Sequence, residues 1–475
     1  MRFGIGHYPL ADLAQILFFP LALYLFSRYP RALAAALVVV GGTVFLPETM
    51  LFKFPSLPYI DKNRVIYLAA FIGLLVHRRD EQPGRPTGFG PELFLIPMFF
   101  AGVGTWMTNT GPMINNGQIQ GGLSFMWMIS RVIDDFFMCI FPFVVGRMAF
   151  RSLEDIKTLF YVMVGIGVVY AFMIFVEVIM SIPWRVFRWS HYIYDFPGPR
   201  PNQKYGFAEP VVFMVSGHAV ATFMVVVAIA GAALHKARAM PVWPWVRWPN
   251  LFVLAGLGIT LKVASIIYGV TCASIARVLA PKRVALIAVV MGMVACIYPF
   301  MRSTDTFPTE ALVDFAAQFE EQRARSLNHR FVDENFVLEN LGDRWLFGWG
   351  HFGRIPGALT FSGDSGESGL DGWWNIQNGM AGIVGVELGL LFFLVPLLIG
   401  WRKMNRIDSR ESQILVAALM LCVGIRMLDL LLNGWYNSLP VMLGGALVGA
   451  LASLTADPRI TRRGLQRPLG RELSS

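Results

Sequence analysis

Residues 301–350, MRSTDTFPTEALVDFAAQFEEQRARSLNHRFVDENFVLENLGDRWLFGWG, open the only long polar interval of the chain, which runs on to Gly379. The interval holds Arg302, Arg323, Arg325, His329, Arg330, Arg344, His351, Arg354 and Asp371, with a run of carboxylates among them. Apolar runs of membrane-spanning length flank it on both sides. A connection of this length is rare unless it is functional or disordered. Phe331, Phe336, Leu338, Leu341, Trp345, Phe347, Trp349 and Phe352 give it apolar surface to bury. It therefore reads as a folded cap over a membrane-embedded site.

Outward from the cap, composition sets the class. Hydrophobic residues make up 55% of the 475 and charged residues only 15%, with a mean hydropathy of +0.54. Soluble domains carry about 25% charged residues. Hydropathy predicts an all-α, polytopic transmembrane helical protein with about 12–14 spans. They start with 10–27, 33–46, 65–76, 93–107, 125–150 and 159–182. Then come 211–234, 245–261, 263–279 and 284–301, and after the cap 380–399, 414–432 and 439–454. The two runs flanking Lys262 could also be one long helix. The domains expected are an N-terminal bundle over 1–300, the cap over 301–379, C-terminal helices over 380–456 and a basic tail over 457–475. The N-terminal run has one Arg and no small-residue cleavage site, so it reads as a first span and not a signal peptide.

The net charge is +9, but its distribution argues against nucleic acid. The basic residues sit in short loops: Arg28 and Arg31; Arg147, Arg151 and Lys157; Lys236 and Arg238; Lys282 and Arg283; Arg402, Lys403, Arg406 and Arg410. All share one side if Lys262 marks a turn on the other, and by the positive-inside rule that side is cytoplasmic. The cap, Thr108–Leu123 and Asn433–Asn437 then face out, which in a bacterium is the periplasm. Cys139, Cys272, Cys296 and Cys422 all lie in apolar runs, so neither a disulfide framework nor a metal cluster is expected, and no cofactor. No strand–glycine loop–helix context for nucleotide binding exists.

Within the cap, Leu312, Phe315, Ala316 and Phe319 recur at helical spacing over Glu310–Arg325. That helix is expected to lie on the membrane surface or on neighbouring spans. A second short helix is expected over Asp333–Leu341, and Gly348-Trp349-Gly350 lets backbone approach something closely. Charges inside spans form two further groups, Arg131 with Asp134 and Asp135, and Arg426 with Asp429, each at one-face spacing. Such groups are functional candidates or structural ion pairs. Glu177 and His218 are lone polar residues in apolar surroundings.

The plan of the chain resembles the bacterial O-antigen ligase and Wzy-type polysaccharide polymerase superfamily. The resemblance rests on Arg330, residues 335–341, Leu346-Phe347-Gly348-Trp349-Gly350, and Gln377-Asn378 followed by Val386-Glu387-Leu388-Gly389-Leu390. Thr260-Leu261-Lys262 sits where that family often has Thr-x-Ser-Arg, and residues 45–62 resemble an early segment of exopolysaccharide members. Gln377 or Asn378 stands where the family places a histidine thought to act as general base.

The resemblance implies an inner-membrane glycosyltransferase that polymerises undecaprenyl-pyrophosphate-linked repeat units without a metal. An O-antigen ligase, or a flippase or transporter of lipid-linked oligosaccharide, is the alternative. Its partners would be that lipid-linked oligosaccharide, membrane lipids and other polysaccharide assembly proteins. A leaving pyrophosphate needs cations, and Lys262 and Arg330 are the expected pair. A snorkelling lysine and a loop ion pair are the plainer readings. His351, Asp371, His329 and Glu339 are the candidate bases. Arg344, Arg200, Lys204, Arg354, Gln377, Asn378 and His218 complete the expected substrate contacts.

Overall fold

The computed structural model describes residues 8–48, 50–52, 58–77, 95–184, 187–196, 203–204, 206–240, 248–358, 370–434 and 436–455. The first helices are α1 (Pro9–Arg28), α2 (Arg31–Phe45), α3 (Lys62–Val76), α4 (Leu95–Met107) and α5 (residues 125–149). Next are α6 (Leu153–Trp184), the short α7 (Trp189–Tyr194), α8 (Gly217–Lys236), α9 (Pro249–Ile259), α10 (Val263–Val278) and α11 (Pro281–Ser303). The cap supplies α12 (Thr309–Ala317) and α13 (Glu321–Leu341), and α14 (Trp373–Lys403), α15 (Arg410–Leu432) and α16 (Leu439–Ala452) close the chain.

Among the described residues, six helices are long and apolar enough to cross a membrane: α1, α6, α8, α11, α14 and α15. Helices α2, α4, α9, α10 and α16 are apolar but shorter, at 10–17 residues. The chain is an all-α polytopic membrane protein. The about 12–14 spans expected from hydropathy exceed this set because several of the runs fold as these shorter helices. The break at Lys262 settles one ambiguity: α9 and α10 are separate, and Leu261 between them has φ of 60°.

The tightest neighbours are α11 with α15, α5 with α16, and α8 with α10. Small residues allow the second of these: a Cβ on Gly445 would come within 2.1 Å of the Phe143 carbonyl oxygen. Close backbone approach of this kind is how membrane helices gain contact when lipid is as apolar as they are.

The basic loops meet at one end. Arg31 Nε donates to the Ala149 carbonyl at 2.9 Å, Arg31 lies 3.6 Å from Asp155, and Lys157 pairs with Glu411 at 2.9 Å. Helix α5 runs from that end to a β-hairpin (Met113–Asn115 with Gln118–Gln120), which is bonded to the cap. Asn109 Nδ2 donates to the Gly348 carbonyl at 2.9 Å. Asn115 Nδ2 donates to Gly353 and Ile355 carbonyls at 2.8 and 2.9 Å. The basic loops and the cap therefore occupy opposite ends of α5, the arrangement the positive-inside argument requires.

The cap differs from its sequence reading in two respects. The helix expected over 310–325 is two helices, because Glu320 adopts an extended conformation (φ −162°) between α12 and α13. Helix α13 then runs without interruption through the expected second helix, so Arg330 is mid-helix and not in a loop. Helix α12 buries none of its residues: Leu312 and Phe315 are exposed, as is Phe319 just past its end, and its main packing partner is α13.

Candidate functional site

Helix α13 is fixed to the membrane helices by one carboxylate. Glu334 accepts from Arg302 Nε at 2.6 Å, from Tyr298 Oη at 2.9 and 3.0 Å, and from Trp374 Nε1 at 3.1 Å. Arg302 and Tyr298 belong to α11 and Trp374 to α14, so three elements converge on one buried group. Burial pushes the Glu334 carboxyl up while Arg302 and the hydroxyl and indole donors pull it down. Arg330 lies four residues before Glu334, on the same helical face. The anchor therefore sets where Arg330 points.

Arg330 NH2 lies 3.7 Å from Asp371 Oδ2, with Asp371 half exposed. Asp333 sits beside them, 1% exposed, 3.9 Å from His329 and within electrostatic range of Arg330 and Asp371. Its carboxyl is pushed above the ordinary range, by burial first. Tyr268 of α10 interacts electrostatically with both Arg330 and Asp429. Asp429 of α15 is the hub of a buried group: it pairs with Arg426, lies 3.2 Å from His218 Nε2, and accepts from Asn433 Nδ2 at 2.7 Å. Asn433 in turn accepts from the Trp373 backbone N–H at 3.1 Å, two residues past Asp371.

Lys262, at the N-terminus of α10, pairs with Glu209 at 2.9 Å. Glu209 is 3% exposed and packs against Gly217, the neighbour of His218. The Glu209–Ser216 segment is non-helical yet buried. Its backbone is held by Glu177, which accepts from the Val211 and Val212 N–H groups at 3.1 and 3.0 Å. Irregular backbone within a membrane protein is tolerated where it is buried in protein or lines a cavity. Val212 and Leu261, both with positive φ (53° and 60°), flank the Lys262–Glu209 pair. Strained non-glycine residues of this kind persist where the surroundings over-determine them, often at functional sites.

Lys262 and Arg330 are not in direct contact. Each is held by its own carboxylate, Lys262 by Glu209 and Arg330 by Asp371.

The Leu346-Phe347-Gly348-Trp349-Gly350 stretch has a specific partner: a break in α14. Gly382 has φ of 65° and ψ of −176°, which interrupts the helix ladder. The freed carbonyls of Gly379 and Met380 accept from the Trp349 and Gly350 N–H groups at 2.9 and 2.8 Å. The freed N–H groups of Ile383 and Val384 donate to Trp345 and Leu346 carbonyls at 2.9 and 3.3 Å. A Cβ at Gly382 would lie 2.2 Å from the Leu346 carbonyl oxygen, so the approach requires glycine. The cap is thereby knitted into the span that follows it.

A second polar chamber, of about 270 Å³, lies between α4, α5 and the start of α14. Arg131 Nε lies 3.1 Å from Asp135, and Arg131 NH2 donates to Gln377 Oε1 at 3.0 Å. Asp134, expected to share that group, is instead held by Arg64 of α3.

The remaining expected residues fall elsewhere. His351 immediately precedes the short turn Phe352–Arg354, which packs on the hairpin over residues 113–120. Arg354 is buried and donates to the Gly121 carbonyl and, at 3.2 Å, to that of Gly111, so its charge is committed to backbone. Burial, then the Arg354 charge, pushes the His351 imidazole down. Arg344 lies over the Trp349 ring at 5.7 Å. Asn378 is buried with Asn375 one turn before it, and neither side-chain amide has a hydrogen-bond partner among the described residues. Arg200 and the side chain of Lys204 lie outside the described residues, as do most of 359–372 and the tail. Among the described residues no three His, Cys, Asp or Glu side chains converge as they would around a metal.

Sequence reasoning missed Glu209, Tyr268, Asp333 and Glu334. Glu334 carried a usable signal: it is spaced four residues from Arg330 on one helix, once the helix is drawn long enough. No family model, no curated protein and no solved structure matches the chain.

Proposed function

We propose that the protein is an inner-membrane glycosyltransferase that polymerises undecaprenyl-pyrophosphate-linked repeat units into exopolysaccharide or O-antigen, with the cap facing the periplasm. The observation that supports this reading is that Arg330, paired with Asp371 at 3.7 Å, and the buried Arg426–Asp429–His218 group both act electrostatically on Tyr268, while Lys262 is held by the buried Glu209. A lipid pyrophosphate approaching from the bilayer would meet cations at membrane depth and at the cap. Arginine suits it because its planar fork grips two phosphate oxygens at once.

In the reaction, an acceptor sugar hydroxyl attacks the anomeric carbon of the donor glycan. The new C–O bond forms as the bond from that carbon to the phosphate oxygen breaks, and the electron pair leaves with the lipid pyrophosphate. The hydroxyl proton passes to a base. Asp371 suits this role: it is half exposed, it faces Arg330, and Arg330 can release it to bind phosphate. Lys262 would exchange Glu209 for phosphate in the same way.

The test uses purified protein in nanodiscs with lipid-linked repeat unit, scored by glycan ladders. Arg330→Ala should abolish ladders with membrane insertion intact. Arg330→Lys should restore them in part, since an ammonium cannot form the bidentate contact. Losing one preorganised donor should cost about 2.7–4 kcal/mol of transition-state stabilisation, or roughly 10²–10³ in rate. Activity should persist in EDTA. Normal ladders from Arg330→Ala, or loss in EDTA restored by Mg²⁺, would overturn the reading.

A further inference from the structure

Helices α4 and α5 form an apolar groove of about 780 Å³ on the outer surface of the bundle, lined by Met98, Phe99 and Phe100 on one side and Ile133, Phe137 and Ile140 on the other. This is within the roughly 300–1,000 Å³ of ordinary ligand pockets. Met98 and Asp135 line both the groove and the polar chamber that holds Arg131 and Gln377, so the two spaces adjoin. The backbone changes at their junction. Helix α5 passes through a π-helical turn over Phe136–Ile140, starting at the residue after Asp135, and three of its five residues line the groove. Single π-turns inside α-helices recur at functional sites.

The chemistry of the chamber selects the head group. Arg131 is committed to Asp135 and Gln377, and Arg64 to Asp134 and Asp61. Of the charged side chains that line the chamber, one guanidinium, Arg131, stands against two carboxylates, Asp134 and Asp135, so an anionic head would meet carboxylates with no uncommitted cation. A neutral polyhydroxyl head meets what it needs: carboxylates and an amide to accept from hydroxyls, a guanidinium to donate, and the Trp127 and Trp373 indoles as flat apolar surfaces.

We propose that groove and chamber form a second lipid site, distinct from the Lys262–Arg330 cluster, for an amphiphile with a long apolar chain and an uncharged, hydroxyl-rich head. Gly434 lines the chamber, and a Cβ there would lie 3.8 Å from Asp371 Oδ1. The chamber therefore adjoins the carboxylate of the Arg330–Asp371 pair. The binding proposed here does not depend on the reaction proposed above.

The experiment is photolabelling of the full chain in nanodiscs with a diazirine-bearing alkyl glucoside and, separately, a diazirine-bearing alkyl phosphate. The glucoside should label residues 95–107 and 125–149, and unlabelled alkyl glucoside should compete. Met98→Trp, which fills the junction, and Gln377→Leu should each cut labelling at least tenfold. Arg330→Ala should leave it unchanged, which separates this site from the cation cluster even if no polymer is ever made. Labelling of these helices by the phosphate as strongly as by the glucoside, or no competition on the unmutated protein, would overturn the proposal.

Discussion

Replacing Arg302 tests what holds the cap in place. Arg302→Ala removes the 2.6 Å donor to Glu334 and leaves a carboxylate 3% exposed with only Tyr298 and Trp374. Both members of the pair are buried, so solvent screening does not soften the loss. Breaking one side of such a pair costs about 3–5 kcal/mol, because a charge is left buried without its counter-charge. On the local equilibrium by which α13 lifts from α11 and α14, that is roughly two to three and a half orders of magnitude. Limited trypsinolysis at the exposed Arg325 in nanodiscs reads the opening, with cleavage rate tracking the open population.

The pH dependence has a definite sign. Burial already holds the Glu334 carboxyl above its ordinary value, and Arg302 is the strongest influence pulling it down. Without Arg302 the folded-state value rises further, so protonation in the folded state becomes easier. A raised carboxyl favours the folded state most at low pH and loses that contribution as pH rises toward the folded value. The Arg302→Ala defect should therefore be larger at pH 8 than at pH 5. Glu334→Gln in the same background should remove most of the difference. Unchanged cleavage in Arg302→Ala, or a defect that grows on acidification, would refute the assignment of Glu334 as the anchor.

Three other outcomes are expected. A reporter fused after Gly363 should register the periplasm and one after Arg406 the cytoplasm; a cytoplasmic signal at Gly363 would invert the topology. His351 has its imidazole held down by burial and Arg354, so stability from its neutral form is present above the ordinary histidine value and is lost as pH falls through it. Hydrogen-exchange protection of Met113–Gln120 should drop as pH falls below about 6.5, and His351→Phe should abolish that drop. Gly445→Val drives a side chain into the Phe143 carbonyl across the α5–α16 contact, and overpacking of this kind costs about 1–3 kcal/mol. Thermal unfolding in detergent should show a lower midpoint, and an unchanged midpoint would mean the two helices do not pack as described.

Much of the architecture was legible from local sequence alone. Apolar run length marks membrane helices because unsatisfied backbone cannot stand in lipid, so each long run must be helical. Basic loops separate the two ends because their charges are set loop by loop and need no tertiary partner. The cap announced itself through the contrast between its polar residues and everything around it, and Leu346–Gly350 through glycines that only close backbone approach explains. What that stretch approaches was not legible. The break at Gly382 is a single residue in an unbroken apolar run, and it persists because cap backbone takes over the hydrogen bonds that α14 gives up. The same holds for the site. Arg330 and Lys262 could be chosen as charges expected at the outer face, but their partners, Asp371 and Glu209, could not be read from spacing. Side-chain pairing across such separations depends on how helices rotate and pack. Hydropathy is blind to that rotation, so only the tertiary structure decided which charges share a site and which, like Arg354 and Arg302, are committed to holding the fold.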